Sequence, residues 1–124
     1  MKHNFREMSI WKEAMKIVKE VYILTANLPT EEKFGLKSQM QRCAVSIPSN
    51  IAESSGRNTD KELLYFLNIA ISSSYELETQ IILVEDLYNL KSEHIINDLH
   101  SIQRMIGGFK RSINSNTLTK SHES

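Results

Sequence analysis

The sequence of 124 residues contains one cysteine, Cys43, so no disulfide can form within the chain. A domain of this length does not need one, because it buries enough surface to fold without covalent or metal links. The longest uninterrupted apolar runs span a few residues, such as 81–84, whereas a membrane-spanning helix needs about 20. The first six residues also lack the apolar segment of a signal peptide. We therefore expect a cytoplasmic protein with no membrane partner.

The chain also lacks net charge, since 15 lysine and arginine residues balance 15 aspartate and glutamate residues. Proteins that bind nucleic acid mainly through its phosphates carry a clear basic excess, so this balance argues against such a protein. A local basic patch is compatible with it, because positive charge collects near the two ends while residues 61–90 are acidic. The residues proposed for such a patch are Lys12, Lys16, Lys19, Lys110 and Arg111.

Glycine and proline are scarce, and they fall mostly where the apolar pattern breaks. Apolar residues recur at intervals of three and four in four segments, a pattern typical of amphipathic helices. The predicted helices run from about Ser9 to Asn27, Leu36 to Ser54, Asp60 to Tyr88, and from after Ser92 to Ile113. Because the connections are short, consecutive helices should be antiparallel. The sequence therefore predicts an all-α fold: an up-down-up-down four-helix bundle at 1–113 and a polar, disordered tail at 114–124.

A stripe of polar residues follows the second predicted helix, rotated by about one residue from its apolar face. Such a stripe is either solvated or part of a buried hydrogen-bond network, and both interpretations stay open here. Antiparallel packing would bring Arg42 level with residues 76–79 of the third helix. We predict an ion pair from Arg42 to Glu76 or Glu78. The residues of the proposed network are Gln39, Arg42, Ser46, Asn50, Glu53, Glu76 and Glu78.

The first predicted helix has a second apolar edge beside its core face, and this edge includes Trp11, Met15 and Tyr22. Ordinary packing inside the bundle explains such an edge as well as an interface between copies of the chain does. Both interpretations are kept. An interface at this edge would make the protein a homo-oligomer.

The residue patterns that catalysis or metal binding requires are missing from the sequence. No glutamate precedes a histidine by three residues, as di-iron bundles require, and one cysteine with scattered histidines does not make a zinc site. There is no glycine-rich phosphate loop, and Cys43 falls on the predicted core face. We therefore assign no catalytic residue, metal or cofactor, and expect no enzyme. The alternative is an unrecognised active site in the stripe, at Arg42, Asn50, Glu53 and Glu76.

Three stretches of the sequence carry the motifs of a known family. They are Trp11-Lys12-x-Ala14, Leu36-x-x-Gln39-x-x-Arg42-x-x-x-Ser46-Ile47-Pro48-x-Asn50-Ile51-Ala52-Glu53 and Phe66-Leu67-x-Ile69-Ala70-x-Ser72-Ser73-Ser74-x-Glu76-Leu77-Glu78-Thr79. Over residues 5–112 the sequence resembles the four-helix-bundle proteins encoded by intervening sequences of bacterial 23S ribosomal RNA genes, also labelled S23 ribosomal proteins. The polar stripe falls on the motif positions of that family. Ser54 and Ser73 stand where the family usually has glycine, a small change that should leave the fold unaltered.

The resemblance implies a bundle that assembles into rings, commonly homopentamers. It also implies a relation to the accessory protein of diversity-generating retroelements, which works with a reverse transcriptase and nucleic acid. We therefore expect a non-enzymatic, homo-oligomeric scaffold or binding protein associated with RNA or a nucleoprotein partner. The alternative function is direct binding of RNA or DNA through the basic faces of the first and fourth helices.

Overall fold

Two short 3-10 turns and four α-helices make up the regular structure of the chain. The structure, a computed structural model, describes the backbone of residues 4–123 and the side chains of residues 4–115. The 3-10 turns are Phe5–Glu7 and Thr30–Glu32, and the helices are α1 (Ser9–Thr25), α2 (Leu36–Ser55), α3 (Asp60–Tyr88) and α4 (Glu93–Glu123). No strand occurs in the described range, and the predicted all-α class is confirmed.

The fourth helix is longer than the apolar pattern indicates. It continues to Glu123, past Ile113, where the sequence analysis ended it. Polar residues without apolar spacing still allow a helical backbone, because helix propensity belongs to each residue and not to the pattern alone. Residues 1–3, residue 124 and the side chains of 116–123 lie outside the described range. The division into a bundle at 1–113 and a disordered tail at 114–124 therefore stays a prediction.

Side-chain contacts between α2 and α3 give the relative direction of these helices. The hydroxyl of Tyr88, at the end of α3, donates a hydrogen bond to Glu32, which lies shortly before α2. In the middle of both helices, the hydroxyl oxygens of Ser46 and Ser73 are 2.9 Å apart. Residue numbers thus rise along α2 as they fall along α3, so the two helices are antiparallel.

The fourth helix closes the bundle by packing on both α3 and α1. Glu78 of α3 lies 3.0 Å from His100 of α4, and Lys16 of α1 lies 3.4 Å from Asp98 of α4. Each helix packs against its neighbours in the sequence, and the backbones of the diagonal pairs stay apart over the described residues. This arrangement is the predicted up-down-up-down four-helix bundle, and its most extensive packing is between α2 and α3.

A continuous apolar core fills the middle of the bundle. Its members are spaced by three and four residues on every helix, as 3.6 residues per turn require. The largest fully buried side chains include Ile17, Met40, Ile47, Ile51, Leu67, Leu77, Ile81, Ile95, Leu99, Ile102 and Ile106. Leu67 is buried because it continues the steps of four and three that start at Leu63, whereas the neighbouring Phe66 is half-buried.

Glu32 joins the turn before α2 to the end of α3. Its Oε1 atom accepts a hydrogen bond from the backbone N–H of Leu36, at 3.3 Å, and its Oε2 atom accepts one from the hydroxyl of Tyr88. A Cβ atom on Gly35 would lie 2.7 Å from Glu32 Oε1. Any other residue at this position would therefore push the carboxylate away from the first turn of α2.

Candidate functional site

The polar stripe of α2 borders a groove between α2 and α3, which we call the polar groove. It has a volume of about 320 Å³. Its lining residues are Gln39, Arg42, Cys43 and Ser46 of α2, and Ser73 and Glu76 of α3. The pairing of the two helices thus brings four of the residues proposed from the sequence into one groove. Arg42 and Glu76 give it one positive and one negative charge.

Three side chains form a hydrogen-bonded link across this groove. The Oγ atoms of Ser46 and Ser73 are 2.9 Å apart, which joins α2 to α3. The Nδ2 atom of Asn50 donates to Ser46 Oγ at 3.0 Å and to the backbone oxygen of Ser46 at 2.8 Å. Ser46 and Asn50 belong to the proposed network. Ser73 does not, since from the sequence it stood out only as a position where the family usually has glycine.

Arg42 forms no ion pair with Glu76 or Glu78, so this prediction from the sequence is wrong. The guanidinium of Arg42 is exposed, and no carboxylate oxygen of a described residue lies within 4.0 Å of it. The two acids are two residues apart, which places them about 200° apart around the helix axis. Glu76 therefore borders the polar groove, while Glu78 lies on the side of α3 that faces α4.

Glu78 joins α3 to α4. Its Oε1 atom accepts a hydrogen bond from Gln103 Nε2 at 2.9 Å, and its Oε2 atom lies 3.0 Å from His100 Nε2. These contacts, with Gln103 first, hold the pKa of the Glu78 carboxyl below its usual value. Glu53, the acid of the α2 stripe, pairs with Arg57 at 2.5 Å. Both acids are thus engaged outside the polar groove.

Cys43 lies at the inner edge of the polar groove and is 8% exposed. Burial, followed by a hydrogen bond with Glu76, raises the pKa of its thiol to about 11. The thiol is therefore protonated at neutral pH and is a poor nucleophile. Gln80, which also contacts Cys43, is buried, and its Oε1 atom has no hydrogen-bond partner among the described residues.

The opposite flank of α2 borders a second groove, which α1 completes and which we call the apolar groove. Its volume is about 310 Å³, and its lining residues are Trp11, Met15, Val18, Val45, Pro48, Ser49 and Ala52. Trp11 and Met15, two of the three residues proposed as an oligomer interface, lie here. The third, Tyr22, is 46% exposed but lies beyond the groove, a full turn past Val18.

A further apolar surface lies on α3, on the side away from the core, and we call it the α3 outer face. Its large apolar residues are 44–62% exposed, and they are Tyr65, Tyr75, Ile82, Leu83 and Leu87. This surface was not predicted from the sequence, because spacings of three and four residues indicate only the one apolar face that a helix turns to the core. One sign of it in the sequence is that Tyr75 and Ile82 are seven residues apart, which places them on the same side of the helix. Neither belongs to the series of buried residues on α3.

The profile of the 23S rRNA-intervening sequence protein family matches residues 6–108. This range includes every residue that lines the two grooves. The chain belongs to the 23S rRNA-intervening sequence protein family. A crystal structure of a protein of unknown function from the S23 ribosomal protein family of Bacteroides thetaiotaomicron is similar in fold, with a TM-score of 0.73 and 20% identity. The match covers 82% of this chain and 97% of that chain. No curated protein matches the chain.

The five basic residues proposed for nucleic-acid contact differ in their surroundings in this family member. The ammonium group of Lys16 lies 3.4 Å from a carboxylate oxygen of Asp98 and 3.9 Å from one oxygen each of Glu13 and Glu20. These acids raise the pKa of Lys16, with Asp98 contributing most. The charge of Lys16 is therefore compensated locally and adds little to a phosphate-binding surface.

The other basic residues are less compensated. Lys12 and Lys19 lie seven residues apart on the outer side of α1, are exposed, and form no ion pair with a described side chain. Arg111 is exposed on α4, and its Nη1 atom lies 3.4 Å from the place that a Cβ on Gly107 would take. Lys110 is half-buried. Two lysines of α1 and one arginine of α4 thus remain for contact with an anion.

The alternative active site proposed from the sequence does not assemble as a unit. Asn50 is held by Ser46 and Glu53 by Arg57, so Arg42 and Glu76 are the two of its four members that line the polar groove. Among the described residues, no group of three or more His, Cys, Asp or Glu side chains is placed to hold a metal ion. Within the same range, no helix combines the length and the apolar character that crossing a bilayer requires.

Proposed function

We propose that this member of the family is a non-enzymatic, homo-oligomeric scaffold or binding protein that works with RNA or a nucleoprotein partner in the cytoplasm. The observation that carries the proposal is the presence of two apolar surfaces on different sides of the bundle, the apolar groove and the α3 outer face. A monomer rarely leaves two such surfaces open to water. Contact between copies of the chain would cover both.

The two surfaces differ in shape, which favours a head-to-tail contact. The apolar groove is concave, whereas a single exposed helix such as α3 is convex. A contact between two different surfaces repeats from copy to copy and forms a closed ring when the rotation closes. The charges agree with this pairing, because exposed Lys12 and Lys19 lie on α1, while exposed Glu76 and Asp86 lie on α3. We propose a homopentamer, the ring that the family resemblance implies.

One substitution on each surface tests this assembly. Val45→Lys places a charge in the apolar groove, and Leu83→Lys places one on the α3 outer face; both side chains are exposed, so the fold should tolerate the change. The control is Asn97→Lys, at an exposed position of α4 outside both surfaces. By analytical ultracentrifugation at micromolar concentration, the wild-type chain and N97K should assemble, whereas V45K and L83K should each be monomers.

Mixing the two monomeric variants then distinguishes a head-to-tail contact from a symmetric one. Each variant keeps one intact surface, so an equimolar mixture of V45K and L83K should form heterodimers and stop there. A wild-type chain that is a strict monomer at micromolar concentration would overturn the proposal. A single variant that still assembles by itself, or a mixture that stays monomeric, would overturn the head-to-tail contact. Purification from the native host, with identification of co-eluting RNA and protein, tests the partner.

The second candidate function is direct binding of RNA or DNA, which the unpaired lysines of α1 favour. Exposed ammonium groups without a carboxylate partner release counterions when they meet phosphates, so binding would weaken steeply with salt. The double variant Lys12→Ala with Lys19→Ala should then lose affinity for structured RNA, whereas Lys16→Ala, at the compensated lysine, should lose little. Absence of a mobility shift at low salt would rule this function out.

A further inference from the structure

Two carboxyl groups meet where α1 packs against α4. The side chains of Glu20 on α1 and Asp98 on α4 bring their carboxyl groups to the same lysine, Lys16. Both also face the ammonium group of Lys16, which lies 3.9 Å from Glu20 Oε1 and 3.4 Å from Asp98 Oδ2. The two acidic side chains are 15% and 20% exposed, so water solvates little of either. Two negative charges that share one ammonium group and are largely shielded from water repel each other.

One oxygen of Glu20 has no donor to satisfy it. Glu20 Oε2 is buried and lacks a hydrogen-bond partner among the described residues. An ionised carboxylate only accepts hydrogen bonds, so two ionised carboxylates cannot satisfy one another. A proton held by the pair turns one of the two groups into a donor, and it also removes the repulsion between them.

The charged groups around the pair do not replace such a proton. On α1, the single positive charge of Lys16 is shared with Glu13, at 3.9 Å, and is 56% exposed. At the start of α4, Lys91 and His94 line a cavity of about 150 Å³ together with Glu20, yet neither lies within 4.0 Å of its carboxylate. Three acids thus surround one solvated lysine.

We propose that Glu20 and Asp98 share one proton at neutral pH, and that this proton holds α4 against α1. Its loss as the pH rises leaves two carboxylates beside one lysine and weakens the packing between the two helices. Burial, followed by the hydrogen bond and the charge of Asp98, raises the pKa of Glu20 to about 7. The change therefore falls within the physiological range.

The direction of the effect on stability follows from this raised pKa. Between the ordinary value of 4.5 and about 7, the folded chain holds a proton that the unfolded chain has released. The free energy of unfolding therefore falls as the pH rises through this window and stays low above it. The proposal is independent of self-assembly, because it concerns the contact between α1 and α4 within one chain.

Carbon-detected NMR of the full chain tests the proposal directly. The side-chain carboxyl resonances of Glu20 and Asp98 are followed from about pH 4 to about pH 9, a range that brackets this window. We expect the Glu20 resonance to titrate near pH 7. Glu20 titrating in the ordinary carboxyl range would overturn the proposal, and this measurement needs no variant that might be unstable.

Unfolding in urea supplies the second measurement. The unfolding constant of the wild-type chain should rise by at least about tenfold from acid pH to mildly alkaline pH. In E20Q the amide donates to Asp98 at every pH, so this rise should shrink to less than about threefold. Two controls, Glu13→Gln and His94→Asn, remove neighbouring titrating groups and should keep the wild-type rise. An E20Q chain with the wild-type pH dependence would overturn the shared proton.

Discussion

The hydroxyls of Ser46 and Ser73 are hydrogen-bonded to each other, but only that of Ser46 has a second partner. Replacing one serine or the other should therefore lower the stability of the chain by different amounts. Ser46→Ala removes the 2.9 Å partner of the Ser73 hydroxyl, which is 9% exposed and has no other hydrogen-bond partner among the described residues. Ser73→Ala leaves Ser46 satisfied, because Asn50 Nδ2 still donates to its Oγ atom at 3.0 Å. We expect S46A to lower the free energy of unfolding more than S73A does.

The size of the difference follows from the cost of leaving a buried hydroxyl unpaired. That cost is about 1–3 kcal/mol, against about 0.5–1.5 kcal/mol for a hydrogen bond whose loss strands no partner. Replacing serine with alanine also stabilises the helix by about 0.5 kcal/mol, because alanine has the higher helix propensity. This gain is the same in both variants and cancels when they are compared. The net losses should be about 0.5–2.5 kcal/mol for S46A and about 0–1 kcal/mol for S73A.

The assay is urea unfolding followed by far-ultraviolet circular dichroism, at one fixed protein concentration, because self-assembly would add to the measured stability. The matched controls are Ser49→Ala on α2 and Ser72→Ala on α3, two exposed serines on the same helices. Both controls should be neutral or slightly stabilising, since they change helix propensity and break no link. The double variant S46A/S73A should lose less than the sum of the single losses, by about 1 kcal/mol.

Two results would refute this reasoning. If S73A costs as much as S46A, Asn50 does not satisfy the hydroxyl of Ser46 in the way that the 3.0 Å contact indicates. If the double variant loses the full sum, the two hydroxyls do not interact, and α2 and α3 are held together by apolar packing alone.

Two further predictions concern the lining of the polar groove. Arg42→Ala should change the free energy of unfolding by no more than about 0.5 kcal/mol, because the guanidinium is exposed and forms no ion pair with a described residue; a loss of about 3 kcal/mol would reveal a buried pair. Cys43 should react with Ellman's reagent at mildly alkaline pH at least about a hundredfold more slowly in the folded chain than in urea, since burial raises its pKa to about 11 and keeps it protonated; rapid labelling of the folded chain would contradict this.

The fold was predictable because the spacing of apolar residues within each segment is enough to indicate a helix. On α4 the buried residues Ile95, Leu99, Ile102 and Ile106 follow steps of four and three, and no other apolar series on that helix competes with them. On α3 apolar residues occupy adjacent positions, so two series fit the period equally well. Packing against the neighbouring helices decided between them, and Leu67 took the core position instead of Phe66.

The partners of the polar stripe were less predictable. Periodicity gives the angle of a residue around its own helix, which is why residues of the stripe do line one groove. It does not give the conformation of a long side chain or the part of a neighbouring helix that it meets. The expected ion pair treated Glu76 and Glu78 as equivalent, although their positions on α3 face different neighbours. Exposure of the α3 outer face likewise depends on which surfaces other helices cover, and this is a property of the assembled bundle.

Residues of the family motif on α2 lie on two different surfaces of the helix. The stability of one chain and the association of its copies should therefore depend on different residues of the motif. Ser46 faces the polar groove and links α2 to α3, whereas Pro48 and Ala52 lie on the other flank and line the apolar groove. A change on one flank should therefore leave the other intact. S46A should lower the unfolding free energy of the chain without changing how copies associate, and V45K should prevent association with little effect on the unfolding of one chain. If both variants lost stability and assembly together, the two flanks of α2 would be coupled through the helix itself, and the motif would specify a single surface.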